Sequence, residues 1–224
     1  MPPVWKSGTL AACAFLTLAW SGHAEDGGGR ILGVIPNFQT VSPERGIHPL
    51  TARQKWALFA RESTDPFNMA GLAFGAGLAN LSNAHPRYGY GGRAYADRFA
   101  AAAADMTAQN FFGDAVFGSL FHQDPRYFRK GPQARISTRI FYALSRVAVT
   151  RQDSGRRAFN ISQLLGMAMG VGLSNAYYPS ASANGTVMME RVRTSLTSAV
   201  FSNLLPEFWP DIRDRFLHRH HRKP

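Results

Sequence analysis

Two glycine-patterned stretches constrain this chain more than any other feature. The first is Gly71-Leu-Ala-Phe-Gly-Ala-Gly-Leu-Ala-Asn80, and the second is Gly166-Met-Ala-Met-Gly-Val-Gly-Leu-Ser-Asn175. They are identical at six of ten positions, and each lies in a long run without formal charge. We interpret both as helices, in which glycines four apart share one face and allow another backbone to approach closely. The predicted packing residues of this glycine zipper are Gly71, Gly75, Gly77, Gly166, Gly170 and Gly172.

Two interpretations of these helices remain open. They could insert in or lie against a membrane, because residues 66–86 and 158–189 carry no formal charge. They could instead form the central pair of a bundle and contact each other across a pseudo-two-fold axis. Polar side chains in both helices favour the second interpretation, because hydrogen-bonding groups are costly in hydrocarbon. They are Asn68, Asn80, Asn83, Ser162, Gln163 and Asn175.

The order of predicted helices indicates an internal duplication. A short helix, a glycine helix and a long helix recur at an offset of roughly 90 residues. We therefore predict an all-α, six-helix bundle built from a duplicated three-helix unit, with an extended N-terminal arm. The predicted segments are a signal peptide (1–24), the arm (25–50), one helical domain (51–216, halves 51–130 and 133–216) and a basic tail (217–224).

Thr51 with Gln54 and Asp65 with Pro66 predict the starts of the first two helices. The third helix is expected from about residue 93 to 122, residues 151–157 are expected to form a polar loop, and the last helix is expected to end before Pro206.

The N-terminus has the features of a cleaved export signal. Lys6 precedes an apolar core from Ala11 to Trp20, and small residues lead up to Ala24, after which cleavage is expected. Cys13 is the only cysteine and would leave with the signal, so the mature chain would have no disulfide. We expect a periplasmic or outer-membrane-associated protein.

The formal charge of +11 is unevenly distributed. Between positions 126 and 157, nine basic residues are accompanied by one acid, Asp153. In an exported protein this favours contact with anionic lipid or another envelope polyanion and makes nucleic acid an unexpected partner. A solvated face with local salt bridges is the alternative. The candidate contact residues are Arg126, Arg129, Lys130, Arg135, Arg139, Arg151, Arg156 and Arg157.

The sequence contains few signs of catalysis. It has no His-Glu-x-x-His, no phosphate-binding lysine loop and no Gly-x-Ser-x-Gly elbow. We expect no catalytic residue, no metal ligand and no cofactor. One alternative is a hydrolase in which His122 and Asp124 form an acid–base pair. Another is a small-molecule or lipid-binding module with a pocket between the two halves. The leading hypothesis is a non-enzymatic envelope protein.

Several segments together resemble an uncharacterised family of exported bacterial proteins. They are Arg30-Ile-Leu-Gly-Val-Ile-Pro-Asn-Phe-Gln-Thr-Val41, Asp124-Pro-Arg-Tyr-Phe-Arg129, Ala143-Leu-Ser-Arg146, Thr150-Arg-Gln-Asp-Ser-Gly155 and Ser174-Asn-Ala-Tyr-Tyr-Pro179. The resemblance spans most of the chain after the signal and implies export and a shared fold. The family has no assigned activity, so the resemblance provides no catalytic residues.

Overall fold

The fold was obtained as a computed structural model, which describes residues 30–31, 35–36, 38–41, 48–84, 86–182 and 184–220. The predicted signal peptide, its cleavage site, much of the arm and residues 221–224 lie outside the described residues. The described chain is mostly helical, as expected. Its helices are α1 (Ala52–Ser63), α2 (Pro66–Ser82), α3 (Gly92–Asn110), a π-helix (Phe111–Phe117), α4 (Gly118–Leu120), α5 (Ile136–Ser145), α6 (Ile161–Ser174), a 3₁₀ turn (Ser180–Ser182) and α7 (Gly185–His220).

The first two helices begin as their sequences predict. Before α1, the Gln54 amide donates to the Thr51 hydroxyl, and Gln54 Oε1 accepts from the Thr51 amide at 2.8 Å, which completes a capping box. Before α2, Asp65 accepts from the amides of Phe67 and Asn68, and Pro66 occupies the first turn. These caps fix the sharp bend between α1 and α2.

A single long helix was expected from about residue 93 to 122, and the structure divides it. After α3, the hydrogen-bonding pattern widens to a π-helix through Gly113 and Asp114 before α4 completes the run. Such segments are rare and occur frequently at functional sites. The wide turn lies against α1 on one side and α6 on the other.

The chain contains short strands, of which the first three lie in the arm that was predicted to be extended and the other four were not predicted. They are β1 (Arg30–Ile31), β2 (Ile35–Pro36), β3 (Thr40–Val41), β4 (Gln123–Asp124), β5 (Tyr127–Phe128), β6 (Val149–Gln152) and β7 (Arg157–Phe159). Residues 151–157 were expected to form a polar loop. They belong instead to an antiparallel β6–β7 hairpin, extended by β4. The end of the arm is extended as expected, because β3 pairs in parallel with β5.

The last helix continues past the residue at which we expected it to end. Pro206 was predicted to terminate it, but α7 passes through both Pro206 and Pro210. A proline inside a helix costs about 3 kcal/mol, because it removes a hydrogen bond and crowds the preceding turn. Glu207 lies between the two prolines, and its buried contacts, described below, attach this segment to the rest of the protein.

The distribution of polar and apolar side chains is unusual. Among the described residues, fifteen polar or charged side chains are buried, against eleven apolar ones, of which six are alanines. Many large apolar side chains are exposed instead, including Phe74, Leu81 and Phe141, each at least 70 % exposed. Interiors are normally apolar, and large exposed apolar patches mark contact surfaces. No helix within the described residues combines the length and apolar character needed to cross a bilayer.

Candidate functional site

The glycines of α6 pack tightly against the helix that contains the π segment. A Cβ atom at Gly166 would lie 2.5 Å from the backbone of Gly113, and one at Gly170 would lie 2.5 Å from the side chain of Gln109. Both distances are shorter than a Cβ atom can approach another heavy atom, so neither Gly166 nor Gly170 has room for a side chain. These two glycines thus pack against α3 and the π-helix. They do not pack against α2, as the hypothesis of a central pair of glycine helices implied.

The other predicted packing glycines are in more open surroundings. A Cβ at Gly71, Gly75 or Gly172 would meet nothing within 4 Å, and one at Gly77 would meet only the Tyr95 ring, at 3.9 Å. Helix α2 therefore does not use its glycines as α6 does, although the two sequences are similar. Glycine spacing alone does not distinguish the two cases.

Helix α6 directs small residues inward and large ones outward. Its buried row is Ser162, Gly166, Gly170 and Ser174, and its exposed row, also at every fourth position, is Ile161, Leu165, Met169 and Leu173. Helices that pack in lipid commonly place small residues at the helix contact. In water, this row leaves a partly exposed apolar stripe three turns long, each side chain being 37–49 % exposed.

Helix α5 and the hairpin also expose large apolar side chains. Ile136, Ile140, Phe141 and Leu144 are exposed on α5, and Phe159 is 62 % exposed at the end of β7. The end of α5 meets the start of α6, because Asn160 donates to the carbonyls of Arg146 and Val147. We call these exposed side chains of α5, β7 and α6 the apolar surface.

Most of the predicted anion-contact residues turn toward the protein itself. Arg126 pairs with Asp124 at 2.8 Å, Arg129 pairs with Asp211, and Arg139 pairs with Glu207 at 2.7 Å. Lys130 lies over the Tyr142 ring at 5.1 Å, and Arg151 lies over the Phe128 ring at 4.5 Å. These five side chains are held by intramolecular contacts. Their charges are thus less available to a partner than the sequence suggested.

Three of the eight predicted bases remain exposed. Arg135 precedes α5, Arg156 lies in the β6–β7 turn, and Arg157 is the first residue of β7. None of them is in an ion pair with a carboxylate of the described residues. All three lie within three residues of an exposed side chain of the apolar surface, Ile136 or Phe159. The basic cluster of the sequence thus reduces to a few charges beside an apolar surface.

Glu207 is the centre of the buried ionic network. Its side chain is fully buried and accepts from the Tyr127 hydroxyl, the Lys130 amide, the Gly131 amide and Arg139 Nε. Its backbone carbonyl accepts from Arg129 and Arg139. Every acceptor position is used, so the network is structural and fastens α7 to α5 and β5.

A second buried group joins α1 to the π-helix. The carboxyl groups of Glu62 and Asp114 are hydrogen-bonded, and Gln163 donates to Asp114. Burial raises the pKa of Asp114 to about 6. Burial, with the Asp114 charge as a second cause, raises the pKa of Glu62 well above its usual range. Two adjacent buried carboxyls share a proton, because both cannot ionise at low cost.

The residues of the hydrolase alternative do not form a pair. Asp124 is 2 % exposed, and its carboxylate binds Arg126 and the Arg126 amide, which anchors the turn at Pro125. His122 is exposed, and its Nδ1 lies 3.8 Å from Asp153. Asp153 in turn accepts from the buried ammonium of Lys55 at 2.7 Å. Asp124 cannot orient His122 as a general base.

A cavity of about 420 Å³ lies between the two halves of the chain. Its lining comes from α2, α3, α6 and α7 and combines small apolar residues with the arginines Arg98 and Arg191. No spacing pattern in the sequence indicates its lining residues, because they are distant along the chain. No group of three or more histidine, cysteine, aspartate or glutamate side chains in the described part of the chain could hold a metal ion.

Comparison with known proteins found no matching family model, no matching curated protein and no matching solved structure.

Proposed function

We propose that this chain is an exported, envelope-associated protein that lies on an anionic membrane surface through its apolar surface and the adjoining arginines. The observation that supports the proposal best is the arrangement of α6, with small residues packed inward and Ile161, Leu165, Met169 and Leu173 outward. A monomer that stayed in water would be more stable with the large apolar side chains buried and the small residues exposed.

The energy of apolar contact is sufficient for docking. Burial of one large apolar side chain contributes about 1.5–3 kcal/mol, so several of the exposed ones could together hold the protein at an interface. Binding at the interface also fits the finding that no described helix combines the length and apolar character needed to span the bilayer.

The free arginines provide the charge complementarity. Each basic residue near an anionic leaflet contributes about 1 kcal/mol at low ionic strength. Arg135, Arg156 and Arg157 flank the apolar surface along the chain. In this arrangement the arginines contact lipid headgroups while the apolar side chains contact acyl chains. The five internally held bases have no part in this contact.

Flotation with lipid vesicles tests the proposal. The purified exported protein should float with vesicles of phosphatidylglycerol and phosphatidylethanolamine, and less with phosphatidylcholine vesicles. Replacing Met169 with Gln should weaken binding about tenfold or more, since it removes one apolar anchor. Met189→Gln is the matched control, because Met189 is 69 % exposed but lies on α7, outside the apolar surface.

Two results would contradict the membrane proposal. One is an exported protein that stays in the soluble fraction with every vesicle composition at low salt. The other is binding that both methionine variants weaken equally, which would show that the apolar surface has no special role. If the protein is recovered only within a protein complex of the envelope, its partner is a protein and not lipid.

We also infer a duplicated three-helix unit. Each half contains a short helix, a glycine helix and a long helix in the same order: α1, α2 and α3 in the first half, and α5, α6 and α7 in the second. The different use of the glycines in α2 and α6 indicates divergence after duplication. Sequence profiles of the two halves, built from relatives, should align across the short and glycine helices. Failure to align would count against the duplication.

A further inference from the structure

The cavity between the two halves is lined by both apolar and charged residues. It is a half-open cleft among α2, α3, the end of α6 and the first turns of α7. Its apolar lining consists of small side chains, among them Ala76, Ala79, Ala102 and Val171. Arg98 and Arg191 belong to the same lining. Such a cavity suits a ligand with an apolar body and a polar end.

Arg98 is buried without a carboxylate partner. Its side chain is 3 % exposed, and its terminal nitrogens donate to Asn80 and Gly89 at 2.9 Å and to Asn83 at 2.7 Å. All of these acceptors are neutral, and Nε has no partner in the described structure. A buried charge without a counter-charge is costly, so an anion in the cavity would relieve the cost.

Arg191 has a free donor in the same cavity. One terminal nitrogen donates weakly to the Val171 carbonyl at 3.4 Å, and the guanidinium lies 4.1 Å from the centre of the Tyr178 ring. The other terminal nitrogen is buried and has no partner in the described structure. Stacking on the ring fixes the direction of this donor.

The acidic groups of the cavity do not meet this demand. Asp105 accepts from the hydroxyls of Tyr177 and Tyr178, and Glu190 is exposed to solvent. Neither is in an ion pair with Arg98 or Arg191. Burial raises the pKa of Asp105, and the charge of nearby Arg191 offsets part of that rise. Nε of Arg98 and one terminal nitrogen of Arg191 still have no acceptor in the described structure.

Three other arginines of the described chain have a carboxylate partner. Arg126, Arg129 and Arg139 each pair with an aspartate or glutamate, whereas the buried Arg146 donates to Thr150 and is in no ion pair. Arg98 and Arg191 differ from these four because both line one cavity and each has a nitrogen without an acceptor. Two such guanidinium groups beside an open cavity indicate a site for an anion.

We propose that this cavity binds a small anionic amphiphile, with its carboxylate or phosphate head on Arg98 and Arg191 and its apolar chain along Ala76, Ala79 and Ala102. The volume of about 420 Å³ suits one single-chain molecule and not a two-chain lipid. The site does not depend on membrane docking, because none of these residues belongs to the apolar surface.

Fluorescence displacement tests the site directly. The probe is 11-(dansylamino)undecanoic acid, titrated into the purified exported protein, and the competitors are palmitate, palmitoyl lysophosphatidate and uncharged hexadecanol. Palmitate or the lysophosphatidate should displace the probe, and which of the two does so more strongly identifies the head group. Hexadecanol should be weaker by about tenfold or more, since it lacks the charge that the arginines bind.

Variants locate the site. Arg191→Met should weaken probe binding by about tenfold, while Arg193→Met, an exposed arginine on the same helix, should leave it unchanged. Ala102→Trp should abolish binding by filling the cavity. Circular dichroism checks that each variant is folded, and vesicle flotation of Arg191→Met should match that of the unaltered protein.

The proposal is overturned if the probe does not bind, if hexadecanol competes as well as palmitate, or if folded Arg191→Met binds as tightly as Arg193→Met. If both flotation and probe binding fall in Arg191→Met alone, the cavity and the membrane contact are one site, and the separate ligand is disproved. Loss of flotation in Met169→Gln with probe binding intact would support a separate site.

Discussion

Gly166 and Gly113 approach each other so closely that a methyl group on Gly166 would lie 2.5 Å from both the Cα and the amide nitrogen of Gly113. Neither atom can move away cheaply, since both belong to the backbone of the π-helix. The contact therefore joins α6 to the π-helix, and it brings Gln163 close enough to donate a hydrogen bond to Asp114.

Substituting Gly166 with Ala should destabilise the protein by about 1–3 kcal/mol, because the added methyl group overpacks the contact. Gly172→Ala, six residues further along the same helix and in open space, should instead stabilise by up to about 1 kcal/mol through helix propensity. Urea unfolding of both variants measures the difference. Equal effects would show that the close contact does not exist.

The shared proton of Glu62 and Asp114 predicts a pH dependence. The pKa of Asp114 is about 6 in the folded protein and about 3.9 when unfolded, so the folded state holds more protons between those values. Stability should thus be full below about pH 4 and fall as pH rises to 6, by on the order of 2–3 kcal/mol.

Unfolding of Asp114→Asn between pH 4 and 8 checks this. The variant cannot ionise at this position, so its stability should fall less over the interval. Asp97→Asn, at an exposed position on α3, should keep the slope of the unaltered protein. A slope that Asp114→Asn leaves intact would assign the titration to another group.

Removing the Glu207 carboxylate should be among the most damaging single changes. In Glu207→Ala the buried Arg139 keeps only Asp211 as a counter-charge, and the Tyr127 hydroxyl and the amides of Lys130 and Gly131 lose their acceptor. Loss of one partner from a buried pair costs about 3–5 kcal/mol. Glu190→Ala, at an exposed position on the same helix, should change stability by less than about 0.5 kcal/mol. Thermal unfolding compares them. A small effect of Glu207→Ala would mean that α7 is not anchored there.

The Lys55–Asp153 pair should show strong coupling. Lys55 is 1 % exposed, so Asp153→Ala leaves a buried ammonium with only the Gly118 carbonyl and should cost about 3 kcal/mol. Adding Lys55→Met removes that charge and should recover part of the loss. A double-mutant cycle by urea unfolding gives the coupling energy. Additive effects of the two changes would contradict a buried pair.

Local features of the fold could be predicted from the sequence. Thr51 with Gln54 and Asp65 with Pro66 act within one helical turn, and both caps form as expected. The helical class and the extended end of the arm follow from equally local patterns. The π-helix was missed because its residues are also compatible with an ordinary α-helix, and only the contacts of Gly113 and Asp114 distinguish the two.

The candidate site was harder to predict, since it depends on distant partners. Arg139 lies 68 residues from Glu207, and nothing in either neighbourhood indicates the pairing. Without that information, the arginine cluster appeared to be a continuous basic face. The two rows of α6 can be found in the sequence, but normal packing would place Leu165 and Met169 inside. Which row faces outward follows only from the contact at Gly166.

The polar interior has a further thermodynamic consequence. The heat capacity of unfolding grows with the apolar surface that becomes exposed, and typical proteins reach about 12–15 cal/mol/K per residue. Here many large apolar side chains are already exposed, and most buried side chains are polar or charged. The heat capacity increment should therefore be smaller, and the free energy of unfolding should vary little with temperature. Such a protein would keep nearly constant stability over a wide range and resist denaturation by cold.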